Sequence, residues 1–150
     1  GKYLSKNTMN LNLVQCFYNE YQLSAHKKKD VAIVESEKTA IIASIFFNDY
    51  VWLATGGKNG CKWTDKNVCR VLEGRNVILF PDLGQGCFQL WKQKAAEMRR
   101  KINCKIYVSD LLEKNAEDHQ KANGYDLADF LLEQCLNPKE FFLPPAVITS

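Results

Sequence analysis

Three features of the sequence predict an α/β fold, a small mostly parallel four-stranded sheet with helices on both faces. Four short apolar runs recur along the chain: Val31–Val34, Val51–Ala54, Asn76–Phe80 and Lys105–Val108. The first three are nearly continuous in apolar character rather than alternating, as in strands buried on both faces. Between the runs stand stretches with apolar residues at helical spacing, and regular alternation of strand and helix favours parallel strands joined by crossovers.

The elements follow in order. Residues 1–8 are polar. Leu13, Phe17 and Tyr21 recur at helical spacing, so an amphipathic helix is expected over Asn10 to Leu23, with a solvated, lysine-rich connector over residues 25–30. This divides the chain into an N-terminal helix and linker (1–30), a domain (31–136) and a C-terminal tail (137–150). After the first strand, the Ser36 hydroxyl can cap a helix running to about Phe47, with Ala40, Ala43 and Phe47 on one face. The second strand is broken by the turn-rich segment Thr55-Gly56-Gly57-Lys58-Asn59-Gly60. Thr64 to Leu72 reads as a short helix, and the third strand is stopped by Pro81. Cys87 to Ile102 carries Phe88, Trp91, Ala95 and Met98 at helical spacing. Asp126 can cap a last helix over Leu127 to Cys135, and Pro138, Pro144 and Pro145 end regular structure.

Length and composition narrow the function classes. A chain of 150 residues suits one compact domain. Lys plus Arg exceed Asp plus Glu by 20 to 17, a net +3 that permits polyanion contact without arguing for it. The longest apolar stretches are far short of a membrane span, and no cleavable signal segment is visible. A start at Gly1 rather than Met suggests a piece of a longer chain, with other domains as partners. Cys16, Cys61, Cys69, Cys87, Cys104 and Cys135 form no C-x-x-C pair and match no zinc spacing. They are expected as small buried or half-buried residues in a reducing cytoplasm.

The acidic residues fall on one edge of this plan. Glu35 directly follows the first strand, Asp82 comes two residues after the third, Asp110 two residues after the fourth, and Asp126 and Asp129 open the last helix. Parallel strands point the same way, so these side chains can converge on the rim where α/β sheets bind ligands. Clustered carboxylates raise one another's pKa unless a cation neutralises them. Mg²⁺, held by one or two carboxylates plus waters and phosphates, is the natural partner, and it can stabilise charge on a phosphoryl oxygen. Lys38, in the first turn after Glu35, can add positive charge toward a phosphate. The alternative is that these are ordinary loop acids, some of which cap helices.

Val31-Ala32-Ile33-Val34-Glu35-Ser36 resembles the first motif of the Toprim domain, an apolar strand ending in Glu. Val77-Ile78-Leu79-Phe80-Pro81-Asp82-Leu83-Gly84 resembles the second, a strand ending in Asp-x-Asp. Gly124-Tyr125-Asp126-Leu127-Ala128-Asp129 is similar to the acidic segment after the fourth strand in phage primase–helicases, and Thr55-Gly56-Gly57 fits the family's glycine turn. The resemblance spans about Val31 to Leu132, and the wording is similar to primase-like Toprim proteins of Bacteroidetes mobile elements. It implies a Rossmann-like Toprim fold and Mg²⁺- or Mn²⁺-dependent nucleotidyl transfer, with a DNA or RNA template and nucleotides as partners. It also implies roles. Glu35 would be general acid or base; Asp82, Asp126 and Asp129 would ligate the metal, with Asp110 a further candidate, while Lys38 is a catalytic candidate from its position in the turn after Glu35. Three positions depart from the pattern: Gly84 replaces the second Asp of Asp-x-Asp, Ser36 stands where many members have Gly, and Thr39 where many have Asp.

Other features extend this reading. Gly56-Gly57-Lys58 is not a Walker A sequence, although a glycine turn can aim backbone N–H groups at a phosphate. Lys58, Lys62 and Lys66, with Lys92, Lys94, Arg99, Arg100 and Lys101, can form a basic track for a nucleic-acid backbone, or simply a solvated helix face. Lys58, Lys62 and Lys92 are the nucleic-acid-binding candidates. Trp91, at core spacing, is expected to be buried; Trp63, flanked by Lys62 and Thr64, is the tryptophan expected to be exposed. His26 and His119 are expected on the surface. The same acids serve equally for a Toprim nuclease cleaving phosphodiesters, or for a non-catalytic nucleic-acid-binding module with a degenerate metal site.

Overall fold

The computed structural model describes residues 15–57 and 59–136. Strands β1 (Asp30–Val34), β2 (Tyr50–Ala54), β3 (Asn76–Leu79) and β4 (Lys105–Val108) form a sheet in the order β2-β1-β3-β4, and every neighbouring pair is parallel. The helices are α1 (Gln22–Ala25), α2 (Glu37–Phe46), α3 (Lys66–Cys69) continued by a 3₁₀ turn at Arg70–Leu72, α4 (Cys87–Lys101), α5 (Leu111–Asn115), α6 (Asp118–Ala122) and α7 (Leu127–Leu136). The architecture is the expected α/β sheet, small and Rossmann-like.

Strands β1, β2 and β3 each feed two cores, because successive side chains point to opposite faces. Val31, Ile33, Val51, Leu53, Val77 and Leu79 meet Leu72, Trp91, Ala95 and Met98 on the face covered by α3 and α4. Ala32, Val34, Trp52, Ala54 and Ile78 meet Ala40, Ala43, Leu111, Leu127 and Phe130 on the face covered by α2, α5 and α7. The buried Trp52 satisfies its indole N–H by donating to the Phe47 carbonyl at 2.7 Å, which anchors the end of α2.

The segment before β1 differs from expectation. The part of the Asn10–Leu23 helix that lies within the described residues does not form over Gln15–Tyr21. Tyr18 instead pairs antiparallel with Ala54 on the outer edge of β2, its N–H donating to the Ala54 carbonyl at 2.9 Å. Asn19 then takes a left-handed conformation (φ 67°) and donates from its amide to the Trp52 carbonyl at 3.1 Å. Helix begins only at Gln22. Sheet-edge hydrogen bonds and burial of Phe17 outweigh a spacing that is compatible with helix but leaves Tyr21 73% exposed. Arg75 ties the segment down further, donating to the carbonyls of Leu23, His26 and Lys29.

Elsewhere the differences are small. The short helix is capped by Asp65 rather than starting at Thr64, and β3 ends at Leu79. Helices α5 and α6 stand in a stretch without a strong periodic signal. All six cysteines are free; Cys69 is buried, Cys61, Cys87 and Cys104 are half-buried, and Cys16 and Cys135 are exposed. No helix among the described residues is long and apolar enough to cross a membrane.

Candidate functional site

Register explains why distant acids meet. Ile33 is level with Leu79 across the adjacent central strands β1 and β3, so Glu35 leaves the sheet beside Pro81 and Asp82. The chain passes from β1 to β2 on one side and returns to β3 on the other, with α2 on one face and α3 on the opposite face. That reversal of strand order is the position at which open α/β sheets present a ligand crevice at the strands' carboxyl ends.

In this crevice the Glu35 carboxyl lies within hydrogen-bonding reach of Asp82. Asp82 is pushed up to about 7, first by burial and then by the charges of Glu35 and Asp126, the bond to Glu35 and the charge of Asp129. The Leu83 N–H donates to the Tyr125 carbonyl at 2.9 Å, which brings the Asp82 loop against the start of α7 and accounts for the reach of Asp126 and Asp129. A cleft of about 440 Å³ is lined by Glu35, Ser36, Glu37, Gly56, Gly57 and Asp82.

Asp126 and Asp129 have other work. Asp126 Oδ1 accepts from the Asp129 N–H at 2.8 Å and Asp129 Oδ2 from the Asp126 N–H at 3.2 Å, a reciprocal cap at the start of α7. Asp126 Oδ2 accepts from the Thr39 hydroxyl at 2.8 Å and lies 3.4 Å from Lys38 Nζ; Asp129 Oδ1 is 3.5 Å from the same ammonium. Burial pushes the Asp126 carboxyl up, but the Asp129 N–H, the Thr39 hydroxyl and Lys38 outweigh it and hold the carboxyl below the usual range. Asp126, ahead of Asp129, in turn holds the Lys38 ammonium above its usual range. Lys38 therefore joins α2 to α7 rather than standing free, and Thr39 is a member of the cluster that sequence reading placed only as a departure. Asp110 precedes α5 without a side-chain cap bond and pairs with Lys114 at 2.7 Å.

The glycine turn orients Glu35 from below. The N–H groups of Gly56 and Gly57 donate to the Glu35 carbonyl at 2.9 and 3.2 Å, and the Thr55 hydroxyl adds a third bond at 3.3 Å. These N–H groups are thus turned inward and are not aimed at an external phosphate. Gly57 has φ +78°, and a Cβ there would lie 4.0 Å from Glu35 Oε1, so its missing side chain keeps the space beside that oxygen open. At Gly84, a Cβ would lie 2.8 Å from Cys87 Sγ. The space a side chain at position 84 would take is thus occupied by the Cys87 thiol, which burial and then the charges of Asp82 and Glu35 push above its usual range.

The donor chemistry bears on a metal. Among the described residues no group of three or more His, Cys, Asp or Glu side chains is arranged to hold an ion. The half-buried Asp82 carboxyl with Glu35 beside it nevertheless fits a hydrated hard cation, which needs only one or two carboxylates.

The basic candidates divide around α4. Lys62, Lys94 and Lys101 line the cavity that also contains Glu35, whereas Lys92 lies on the other flank, in a recess with Phe88, Arg99 and Tyr107. Lys58 lies outside the described residues. Trp63 is not exposed: it is 4% accessible, tilted against Trp91 at 5.1 Å between ring centroids and covered by the Lys94 ammonium at 4.9 Å. Its polar sequence neighbours face outward while its ring turns under α4. His119 is half exposed and bonds to Glu133 at 2.7 Å, away from the cleft.

No curated protein and no solved structure matches the chain. A family described as a domain of unknown function, DUF6371, matches residues 2–83, which include both Glu35 and Asp82. That match spans more than half of the sequence, and the chain belongs to this family.

Proposed function

We propose that the Glu35–Asp82 cleft serves metal-dependent phosphodiester chemistry on nucleic acid. The reaction is nucleotidyl transfer of the kind carried out by a primase-like Toprim domain within a longer cytoplasmic protein. The observation that carries this reading is the placing of Glu35 beside the half-buried Asp82 at the strand-order reversal, with Asp82 pushed up to about 7 first by burial and then by the charge of Glu35. Such a pair is costly unless it is used.

Glu35 and Asp82 are the side chains that would hold Mg²⁺ or Mn²⁺. The bound ion would supply neutralisation of charge developing on a phosphoryl oxygen. Glu35, fixed through its own carbonyl by the 55–57 turn, keeps its carboxyl beside Asp82, where it would act on a substrate hydroxyl as general acid or base. Lys38, Thr39, Asp126 and Asp129 position the rim and set its negative potential. Lys62 supplies positive charge beside Glu35, and Lys92, in the separate recess on the other flank of α4, a contact for a DNA or RNA template.

A second reading has a specific observation behind it. Cys87 Sγ fills the position a second motif Asp would occupy, which favours a binding module with a degenerate metal site. Labelled DNA incubated with Mn²⁺, with and without nucleotides, separates the readings. Nucleotide-dependent extension is expected, and Glu35→Gln is expected to lower it by about a hundredfold or more while leaving the fold and DNA affinity intact. Shortening of the DNA without nucleotides assigns a nuclease. DNA binding with neither product nor calorimetric uptake of divalent ions assigns the binding module.

A further inference from the structure

A recess of about 740 Å³ opens beside the carboxylate cleft and shares Glu35 and Gly57 with it. Because Gly57 has no side chain, nothing at that position separates the two spaces. The charge reverses across this junction. The charged side chains of the cleft are Glu35, Glu37 and Asp82; those of the recess are Lys62, Lys94 and Lys101, with Glu35 at the junction and Asp65, which caps α3 by accepting from the Asn67 N–H at 2.9 Å. Lys101 is already engaged, donating to the Thr64 carbonyl and to Glu97, both at 2.7 Å. Lys62 and Lys94 have no carboxylate within ion-pair distance among the described residues. Lys94 rests over the Trp63 ring at 4.9 Å, and the Lys62 backbone N–H is held by the Gln15 side chain at 2.9 Å.

Two ammonium groups without an ion-pair partner, in a recess whose lysines outnumber its carboxylates, suit an anion with more than one charged group. A recess of this size falls in the range of small-molecule sites. A nucleic-acid strand would use an open groove with exposed aromatic faces, yet Trp63 and Trp91 are 4% and 5% accessible and offer none. We infer that the recess lined by Lys62 and Lys94 binds the polyphosphate of a free small molecule, with its phosphoryl end directed toward Glu35. This inference rests on the phosphodiester reading for its role, because a site for free polyphosphate belongs with nucleotidyl transfer rather than with hydrolysis of a strand. The binding itself stands on the recess alone.

The test uses inorganic tripolyphosphate, with a chelator present, followed by calorimetry and by tryptophan emission. Saturable binding is expected, with a change in emission as Lys94 turns from the Trp63 ring to the ligand. Lys62→Gln and Lys94→Gln are each expected to weaken binding about tenfold, the cost of one charge-assisted contact. Lys105→Gln, an equal change of charge at the far edge of the sheet, is expected to leave it unchanged. The inference is overturned by any of three results: no saturable binding at millimolar concentration, equal weakening by Lys105→Gln, or displacement by an oligothymidylate at lower concentration than tripolyphosphate itself. Lys62 is exposed, so its variant remains informative if Lys94→Gln perturbs packing around Trp63. The assay involves neither a divalent ion nor turnover, so its failure leaves the chemistry at Glu35 and Asp82 standing. An inactive cleft beside intact tripolyphosphate binding would remove that chemistry instead.

Discussion

At Asp82 a single carboxyl is asked to be both half-buried and close to Glu35, and the two demands act in the same direction. Its ordinary value of 3.8 rises to about 7. Between these values the folded protein keeps a proton that the unfolded chain releases. Native protein then binds more protons, so stability falls as pH rises, until Asp82 is fully ionised above about 7. Taken whole, the displacement corresponds to roughly 4 kcal/mol; the open side of the cleft screens it to about 1–2 kcal/mol. Asp82→Asn removes the charge and keeps a hydrogen-bond donor for Glu35. In chelator, the variant is expected to melt roughly 3–6 °C above the parent at about pH 8 and level with it at about pH 4. Equal melting at both would show that Asp82 is not held above its usual range. The position of Asp82 was legible from the strand that precedes it. Its pairing with Glu35, and the Cys87 thiol at the Gly84 position, depend on contacts that no local pattern encodes.

Helices α2 and α7 show where local and distant information part. The Ser36 cap, which accepts from the Thr39 N–H at 3.1 Å, and the Asp126 cap were both readable, because a cap and its N3 partner lie three residues apart. The Thr39–Asp126 bond joins residues 87 positions apart and was not. It turns two caps into one joint, with Lys38 across its solvent side. The buried and exposed halves of that joint differ in strength. Asp126→Ala loses both the cap and the Thr39 bond and is expected to cost about 1–2 kcal/mol. Lys38→Met, removing a side chain 58% exposed, is expected to cost less than about 0.5 kcal/mol. Urea denaturation of the two variants measures the difference. A larger loss from Lys38→Met would place the strength of the joint in its ion pairs. The pH dependence has the opposite sign to that of Asp82: the Asp126 carboxyl is held low, so its contribution is present above the ordinary carboxylate range and fades as pH falls through its folded value.

Over the whole molecule, the sheet was legible because strands buried on both faces leave continuous apolar runs, and because Pro81 and the glycine turn end two of them. Helices α5 and α6, five residues each, span too few turns to show a period. Trp63 was misjudged because its neighbours in sequence are polar while its neighbours in space are Trp91 and Lys94. The same contrast governs the first described segment. Phe17 sits at helical spacing from Tyr21, yet Phe17 is 1% accessible within the α4-side core and Tyr21 faces solvent. Such a segment shares the core of the sheet and must unfold with it. Phe17→Ala removes a ring from a packed site and is expected to destabilise the molecule by about 3–4 kcal/mol. That corresponds to a melting temperature lower by roughly 6–15 °C, with the loss appearing in a single transition. If residues before β1 formed only a helix and linker apart from the sheet, the change would stay within about 0.5 kcal/mol. Scanning calorimetry would then show the main transition unmoved. The distinction matters for the cleft, because Tyr18 and Asn19 hold the outer edge of β2, and β2 leads directly into the turn whose N–H groups fix Glu35.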